Sequence, residues 1–353
     1  MNRRPLVGMT LEEMAAFVQE LGEPKFRAKQ LFQWVYQKCA RSFSEMTNLS
    51  AAFRAKLEEA AVLALTEEET RQEAAPTDTA KYLFRLADGQ KVESVLMRHD
   101  YGNAVCVTTQ VGCRMGCTFC ASTFGGLVRN LTAGEIVDQI LMMQRDLPEG
   151  QRVGSVVLMG SGEPMENYDN CLKAIRLMHD PEGLNIGYRH ITISTSGLVE
   201  GMRRLAGEGL PITLALSLHA PNDRLRSQLM PVNRQFPVAE VLAAAIDYGE
   251  KTGRRVTYEY LLIEGVNDNP EQALELAGLL RGTLAHVNLI PMNPVSERPQ
   301  YRRPGRERVN HFRDLLEANG VTATIRREMG GDIDAACGQL RNRVARQRGA
   351  SRS

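Results

Sequence analysis

The first part of the chain carries apolar side chains at helical spacing. The run "LEEMAAFVQELG" places five of them on one face of a helix: Leu11, Met14, Phe17, Val18 and Leu21. Gly22 and Pro24 then end that helix. The runs "KFRAKQLFQWVYQKC" and "SEMTNLSAAFRAKLEEA" repeat the spacing. We therefore predict a small helical module over residues 1–65.

Strand-like apolar runs alternate with amphipathic helical runs over residues 105–330. The apolar runs are "AVCVTTQ", "GSVVLMG", "HITIST", "ITLALSL", "VTYEYLLI" and "HVNLIP". Six β-then-α units predict an α/β protein with a parallel sheet. One strand per roughly 30 to 40 residues favours a partial barrel. Before it, Asp88 and Gly89 lie between two β-rich runs and predict a β-hairpin in residues 66–104.

Length and composition narrow the class of protein. The 353 residues, 43% of them hydrophobic, can bury a full core, and the net charge of +1 says little about partners. No run of about 18 apolar residues appears, and the N-terminus lacks the apolar part of a signal peptide. We therefore expect a cytoplasmic monomer with no membrane association. In that reducing compartment, the seven cysteines are more suited to ligands or reactive thiols than to disulfides.

Four cysteines lie within fifteen residues in "CVTTQVGCRMGCTFC". Cys113, Cys117 and Cys120 have the C-x3-C-x2-C spacing that suits an iron–sulfur cluster, and they leave one iron open for a substrate. A zinc site would usually need a fourth Cys or His at short spacing. Cys106 lies seven residues before this loop, and Cys337 lies far away in "GDIDAACGQL". From the residues alone, both could equally be buried structural thiols.

Polar or glycine-rich runs follow four of the predicted strands. They are "GSGEPMEN", "STSG", "SLHAPND" and "NLIPMNP". Ligands bind at the carboxyl ends of strands in barrels and open α/β sheets, so these runs predict a binding site at that edge. Taken alone, each of these runs could also be an ordinary turn, because glycine, proline, asparagine, aspartate and serine favour turns.

These motifs, in this order, resemble those of the radical S-adenosylmethionine (SAM) superfamily. Over nearly the whole chain they resemble the RlmN/Cfr family of adenosine methyltransferases within it. The cysteine loop marks the superfamily, and the late "ACGQL" cysteine makes the resemblance more specific. "FRAKQLFQWVY" and "FSEMTNLS" are similar to the RlmN branch, which methylates adenine carbon 2, whereas the Cfr branch methylates carbon 8. The resemblance implies a partial (β/α)6 radical-SAM barrel, one [4Fe-4S] cluster on Cys113, Cys117 and Cys120, and two molecules of SAM per turnover.

The resemblance also implies roles for three further residues. Cys337 accepts a methyl group from SAM, and a deoxyadenosyl radical from a second SAM then removes a hydrogen atom from that methyl group. The carbon radical adds to the adenine of an RNA. Cys106 attacks the sulfur of Cys337, forms a disulfide and releases the product. Glu93 in "KVESVLM" is the base for the adenine proton; a carboxylate in an apolar β run fits a site residue, although a solvent-facing strand residue is the alternative.

Further expectations concern the cofactor and the partners. The implied contacts to SAM are Gly162, Glu163, Ser194, Ser217, Leu218, His219 and Asn293. The implied partners are 23S rRNA, the anticodon loop of certain tRNAs, and an electron donor such as flavodoxin or ferredoxin. Basic residues in the helical module, in "ERPQYRRPGRER" and in the segment 331–353 could bind phosphates or simply be solvated. A different class of function, an RNA-binding iron–sulfur redox sensor without catalysis, stays open.

Overall fold

The computed structural model describes residues 3–74, 78–293 and 298–326. Its α-helices are α1 (Leu11–Glu20), α2 (Arg27–Phe32), α3 (Ala51–Ala60), α4 (Ala133–Gln144), α5 (Tyr168–His179), α6 (Val199–Gly207), α7 (Asp223–Leu229), α8 (Val238–Thr252), α9 (Pro270–Leu280) and α10 (Arg306–Ala318). A π-helical turn at Gln33–Gln37 extends α2. Short 3-10 turns lie at Phe43–Glu45, Ala121–Thr123, Tyr188–His190 and Pro231–Arg234.

The strands are β1 (Arg4–Pro5), β2 (Ala61–Val62), β3 (Thr66–Glu73), β4 (Thr79–Leu86), β5 (Lys91–His99), β6 (Gly102–Cys106), β7 (Gln110–Gly112), β8 (Leu127–Asn130), β9 (Val153–Leu158), β10 (Ile191–Thr195), β11 (Thr213–Ser217), β12 (Val256–Leu262), β13 (Ala285–Pro291) and β14 (Ala323–Ile325). The main sheet has ten described strands in the order β14-β13-β12-β11-β10-β9-β6-β5-β4-β3. From β6 to β14 its neighbours are parallel.

The predicted α/β fold is confirmed, with two additions. The six predicted strands are β6, β9, β10, β11, β12 and β13, and a seventh parallel strand, β14, pairs with β13. The predicted hairpin is formed by β4 and β5 around Gly89, whose φ of +81° suits glycine. The acid-rich β3 pairs with β4 and extends this antiparallel part.

The two faces of the main sheet differ in what they contact. Val105 and Val107 belong to the hydrophobic core that also contains helix residues, so Cys106 between them points to the opposite face. On β5, the Ser94 hydroxyl donates to Gln139 Oε1 of α4 at 2.7 Å, so the neighbouring Glu93 also points away from the helices. We call the face opposite the helices the inner face.

The N-terminal helices share one core with the barrel. Met14, Phe17 and Val18 of α1 are buried in the same hydrophobic cluster as residues of α4 and α5. The Asp138 carboxylate on α4 accepts hydrogen bonds from the main-chain N–H groups of Leu65 and Thr66, at 2.8 and 2.7 Å. These contacts fix the start of β3 against the barrel. Among the described residues, no helix has the length and apolar character to cross a bilayer.

Candidate active site

A cavity of about 160 Å³ lies at the carboxyl ends of β9, β10 and β11. Its lining includes the three cysteines predicted as cluster ligands: Cys113, Cys117 and Cys120. It also includes five of the predicted SAM contacts: Gly162, Glu163, Ser194, Ser217 and His219. One cavity thus joins the cysteine loop to three of the four predicted strand-end motifs.

Two predicted SAM contacts do not line this cavity. The Leu218 side chain is buried in the hydrophobic core, and its main-chain carbonyl accepts a hydrogen bond from Arg226 at 3.1 Å. Its main-chain N–H donates to the Glu259 carbonyl at 3.1 Å, so both main-chain groups of Leu218 have partners within the protein. Asn293 is half-buried and follows β13 at the same edge of the sheet.

The cysteine loop follows β7 and is held by main-chain hydrogen bonds. Cys113 N–H donates to Gly126 at 3.1 Å, and Thr118 N–H donates to Leu229 at 2.9 Å. Gly112, which begins the loop, has a φ of +81°, and a Cβ there would lie 2.0 Å from the Gly126 oxygen. Only glycine fits this close approach of two backbones.

The three thiols lie in a low-dielectric environment close to one another. The pKa of Cys113 is raised to about 12, mainly by burial, and Cys120 contributes in the same direction. Burial raises the pKa of Cys117 well above its usual value, with Cys120 and Cys113 acting in the same direction. Thiolates at these positions therefore need nearby positive charge, which iron ions supply.

The arrangement suits a cluster better than a single ion. Over residues 3–74, 78–293 and 298–326, no three His, Cys, Asp or Glu side chains surround a point that one metal ion could occupy. In an iron–sulfur cube each cysteine binds its own iron, so the thiols need not converge on one point. The cysteine loop and the adjoining cavity thus fit a three-cysteine cluster with an open iron.

The loop after β9 is tied to the loop after β10 through Glu163. Its Oε2 accepts hydrogen bonds from the N–H and the hydroxyl of Ser196, both at 2.7 Å, and its Oε1 accepts one from Met165 N–H at 3.0 Å. Burial raises the pKa of Glu163, and the bonds from Ser196 oppose that shift. The carboxylate therefore holds together the two loops that form this part of the cavity wall.

A buried arginine that the sequence analysis missed supports the same wall. Arg226 of α7 has no exposed surface and donates to the carbonyls of Ser196, Leu218 and Ser217 at 2.6, 3.1 and 3.2 Å. It thereby joins the ends of β10 and β11. The run "DRLRSQL" resembles an ordinary exposed helix, so no local signal marks this residue.

His219 is held as a neutral imidazole. Its Nδ1 accepts a hydrogen bond from Leu261 N–H at 2.9 Å, and its ring packs edge-on against Phe119. Burial, with a smaller contribution from the nearby Arg226, lowers the pKa of His219 to about 3. Protonation would both break the bond to Leu261 and place a second cation beside Arg226.

This environment predicts a pH dependence of stability. Between its usual pKa of 6.5 and about 3, His219 binds a proton in the unfolded chain but not in the folded one. Its contribution to the free energy of unfolding therefore falls with acidification, by up to about 1.4 kcal/mol per pH unit. His219→Asn should flatten this slope, because Asn Oδ1 can accept the Leu261 bond and Asn tolerates the φ of +57°. Urea unfolding at several pH values measures both slopes; equal slopes would contradict the assignment.

Cys106 and Glu93 lie close together on the inner face. Burial raises the pKa of Cys106, Arg326 and Lys81 oppose that shift, and Glu93 adds to it. The main chain of Met159, which lines the cavity, lies close enough to Cys106 to lower the pKa of its thiol. Glu93 is 5% exposed, so it is not a solvent-facing strand residue. The structure thus brings both predicted residues next to the cavity of the three cysteines.

Two charged residues of the inner face were not predicted as site residues. Lys81 lies 3.0 Å from a Glu93 carboxylate oxygen. Glu259 of β12 is buried, accepts a hydrogen bond from Asn288 Nδ2 at 2.8 Å, and has its pKa raised by burial. The feature that fits the assignment of Glu93, a charge within an apolar β run, is also present at Glu259 in "VTYEYLLI". Cys337 lies outside the described residues.

Comparisons with known proteins show the family to which the chain belongs. Residues 5–63 match the protein-family model of the ribosomal RNA large subunit methyltransferase N-terminal domain. The radical SAM superfamily model matches residues 107–277. A probable dual-specificity RNA methyltransferase RlmN from Symbiobacterium thermophilum is 74% identical over 98% of this chain and 94% of its own length. One of the same description from Pelotomaculum thermopropionicum is 56% identical, over 96% and 91%.

A solved structure gives the same result. The crystal structure of a radical SAM methyltransferase from Sphaerobacter thermophilus superposes with a TM-score of 0.92 at 47% identity, covering 95% of this chain and 98% of that one. Fold and cysteine loop together define a radical SAM enzyme. The chain belongs to the RlmN family of radical SAM RNA methyltransferases.

Proposed function

We propose that the protein methylates carbon 2 of an adenosine in 23S rRNA and of adenosine in the anticodon loop of certain tRNAs. The transfer runs through a methylated Cys337 and a covalent RNA adduct. The observation that carries the proposal is the placement of Cys106 and Glu93 together on the inner face, beside the cavity lined by the three loop cysteines. A nucleophile and a base at one place are what release of such an adduct requires.

The chemistry of adenine explains why a polar transfer would not suffice. Carbon 2 lies between two ring nitrogens and is electron-poor, so it does not attack the electrophilic methyl group of SAM. A carbon radical can add to it instead. When bound, the cluster would supply the electron for reductive cleavage of SAM, the source of the radical chemistry. Cys113, Cys117 and Cys120 would hold the cluster next to the SAM contacts that line the cavity.

Each remaining step is assigned to a residue of the chain. Cys337 carries the methyl group to the adenine. Glu93 takes the proton from carbon 2 after addition. The unpaired electron of the adduct would pass to the bound cluster. Cys106 then attacks the sulfur of Cys337: a disulfide forms, the bond from that sulfur to carbon breaks, and the released carbon takes a proton to become the methyl group of the RNA. This attack needs the thiolate, which the positive charges of Lys81 and Arg326 favour against the effect of burial.

Surface chemistry supports RNA as the substrate. Arg27 lies over the exposed ring of Phe26, with its guanidinium carbon 5.0 Å from the ring centre, and Lys38 lies over Trp34 at 3.8 Å. Cations beside exposed or half-exposed aromatic rings suit phosphates and unstacked bases. The target adenine must leave its stack to reach the inner face, which favours unpaired loops.

We also propose that the protein is a monomer, that it works in the cytoplasm, and that flavodoxin or ferredoxin is its electron donor.

One experiment separates a radical enzyme from a redox sensor that lacks catalysis. The anaerobically reconstituted, reduced protein should bind about four irons and convert SAM to deoxyadenosine. Changing Cys113, Cys117 or Cys120 to alanine should abolish the brown absorbance and the deoxyadenosine together, since the open cluster is lost.

The buried Cys171 of α5 provides the matched control. Cys171→Ala should keep the cluster and the cleavage of SAM. If the triple alanine variant of the loop still bound about four irons, the ligand assignment would be wrong. A wild-type cluster that never cleaves SAM would favour the redox sensor.

A further inference from the structure

A lysine on the inner face is buried to a degree that is unusual for its type. Lys81 of β4 is 1% exposed, and its Nζ lies 3.0 Å from Glu93 Oε2. Lysine is almost never fully buried unless paired, and a buried ion pair is often no more stabilising than apolar residues of the same volume. Stability alone is therefore a weak explanation for this pair.

The pair lies in the row of residues that contains Cys106. Lys81 is opposite Val95 on β5, and Val95 is opposite Cys106 on β6. Alternate residues of a strand share a face, so Glu93 lies on the same face as Val95. The Thr108 hydroxyl donates to the Glu93 carbonyl at 2.7 Å and accepts from Ser161 N–H at 3.1 Å. The backbone of Glu93 is thus fixed to the wall of the cavity, and its side chain is fixed by Lys81.

The charges around Cys106 come from three elements. Lys81 of β4 and Arg326 after β14 are positive and favour its thiolate, whereas Glu93 of β5 is negative and opposes it. Arg326 also acts on the buried Glu259 of β12. Lys81 is therefore the cation that contacts Glu93 directly and also acts on Cys106.

We propose that Lys81 is a positioning residue for the proton transfer, holding the Glu93 carboxylate in the orientation in which it takes the proton from adenine carbon 2. This inference rests on the function proposed above. In the step, the C–H bond of the adduct breaks, an O–H bond forms on Glu93, and the electron pair of the C–H bond stays with the adduct. Lys81 keeps its own protons throughout. The transfer also removes the negative charge that opposes ionisation of Cys106.

The experiment compares Lys81→Met, Lys81→Gln and Lys81→Arg in the reconstituted holoprotein. Single-turnover methylation of RNA is followed over a range of pH. Without Lys81, the Glu93 carboxylate loses the contact at 3.0 Å that orients it for the transfer. Lys81→Met and Lys81→Gln should therefore lower the rate of methylation throughout the profile, by about 100-fold at neutral pH.

Two further measurements separate positioning from folding. Deuterium at adenine carbon 2 should measurably slow methylation by Lys81→Met, because proton transfer has become the limiting step. Cleavage of SAM by this variant should stay at the wild-type rate. Lys81→Arg should restore the wild-type profile. Lys91→Met, which removes another lysine paired with a glutamate in the same antiparallel part, is the matched control and should leave the profile unchanged.

The outcomes distinguish this inference from the proposed function. A wild-type pH profile in both neutral variants, combined with an inactive Glu93→Gln, would overturn the role of Lys81 alone. Loss of SAM cleavage in both neutral variants would show a structural role and would also overturn it. Wild-type methylation by Glu93→Gln would instead remove Glu93 as the base, and with it that part of the proposed function.

Discussion

Replacing Cys106 with alanine is expected to leave the RNA covalently bound to the protein. Cluster assembly, cleavage of SAM and methylation of Cys337 do not use the Cys106 thiol, so they should proceed. Only release should fail, because no other described cysteine lies on the inner face beside Glu93. The adduct carries a thioether, which free thiols displace poorly without a positioned attacker.

The adduct would be seen as a shifted protein band that persists in denaturing gels. Nuclease digestion should reduce that band to protein carrying a nucleotide on Cys337, identified by peptide mass spectrometry. Cys171→Ala should show no such band and should turn over normally. If Cys106→Ala completed many turnovers, or lost only stability without any crosslink, the role of Cys106 as nucleophile would be refuted.

Replacing Cys337 with alanine should abolish methylation of RNA completely. With no thiol to carry the methyl group, no carbon radical can form at this position, although the three loop cysteines should still hold the cluster. The wild-type protein purified from cells should carry one extra methyl group on Cys337, because loading does not require RNA. Peptide mass spectrometry measures that methyl group directly.

Two variants serve as controls for the proposed role of Cys337. Cys337→Ala should bind the cluster and cleave SAM, whereas Cys106→Ala should carry the methyl group or the RNA adduct on Cys337. A Cys337→Ala protein that still methylates RNA would exclude the carrier role. Absence of any methyl group in active wild-type protein would argue against loading before RNA binds.

The sequence predicts much of the fold, and the exceptions have physical reasons. Apolar spacing locates α1, α9 and α10, because each buries one face, and it also locates α4, which is buried on nearly all sides. The strand β3 escapes prediction because "TEEETRQE" is charged and lies at the edge of the described sheet, where only β4 pairs with it among the described strands. The strand β14 is only three residues long and gains its structure from pairing with β13.

The site is predicted in part, and the missing residues depend on register. The cavity residues follow strands directly, so motif position along the chain suffices to find Cys113, Glu163 and Ser194. Lys81 and Glu93 are twelve residues apart, and only the pairing of β4 with β5 shows that they meet. Arg226 is buried because three strand-end carbonyls converge on it, which no local pattern in the sequence records.

The identity of the methylated nucleoside tests the proposed methylation of adenine carbon 2 most directly. Reduced, reconstituted protein is incubated without oxygen with SAM and 23S rRNA or tRNA that lacks the modification. The RNA is then digested to nucleosides, which are separated and identified by mass spectrometry against standards. We expect the digested RNA to contain 2-methyladenosine, and we expect none when Cys337→Ala replaces the wild-type protein. The appearance of 8-methyladenosine instead, or of no methyladenosine while SAM is cleaved, would contradict the proposed methylation.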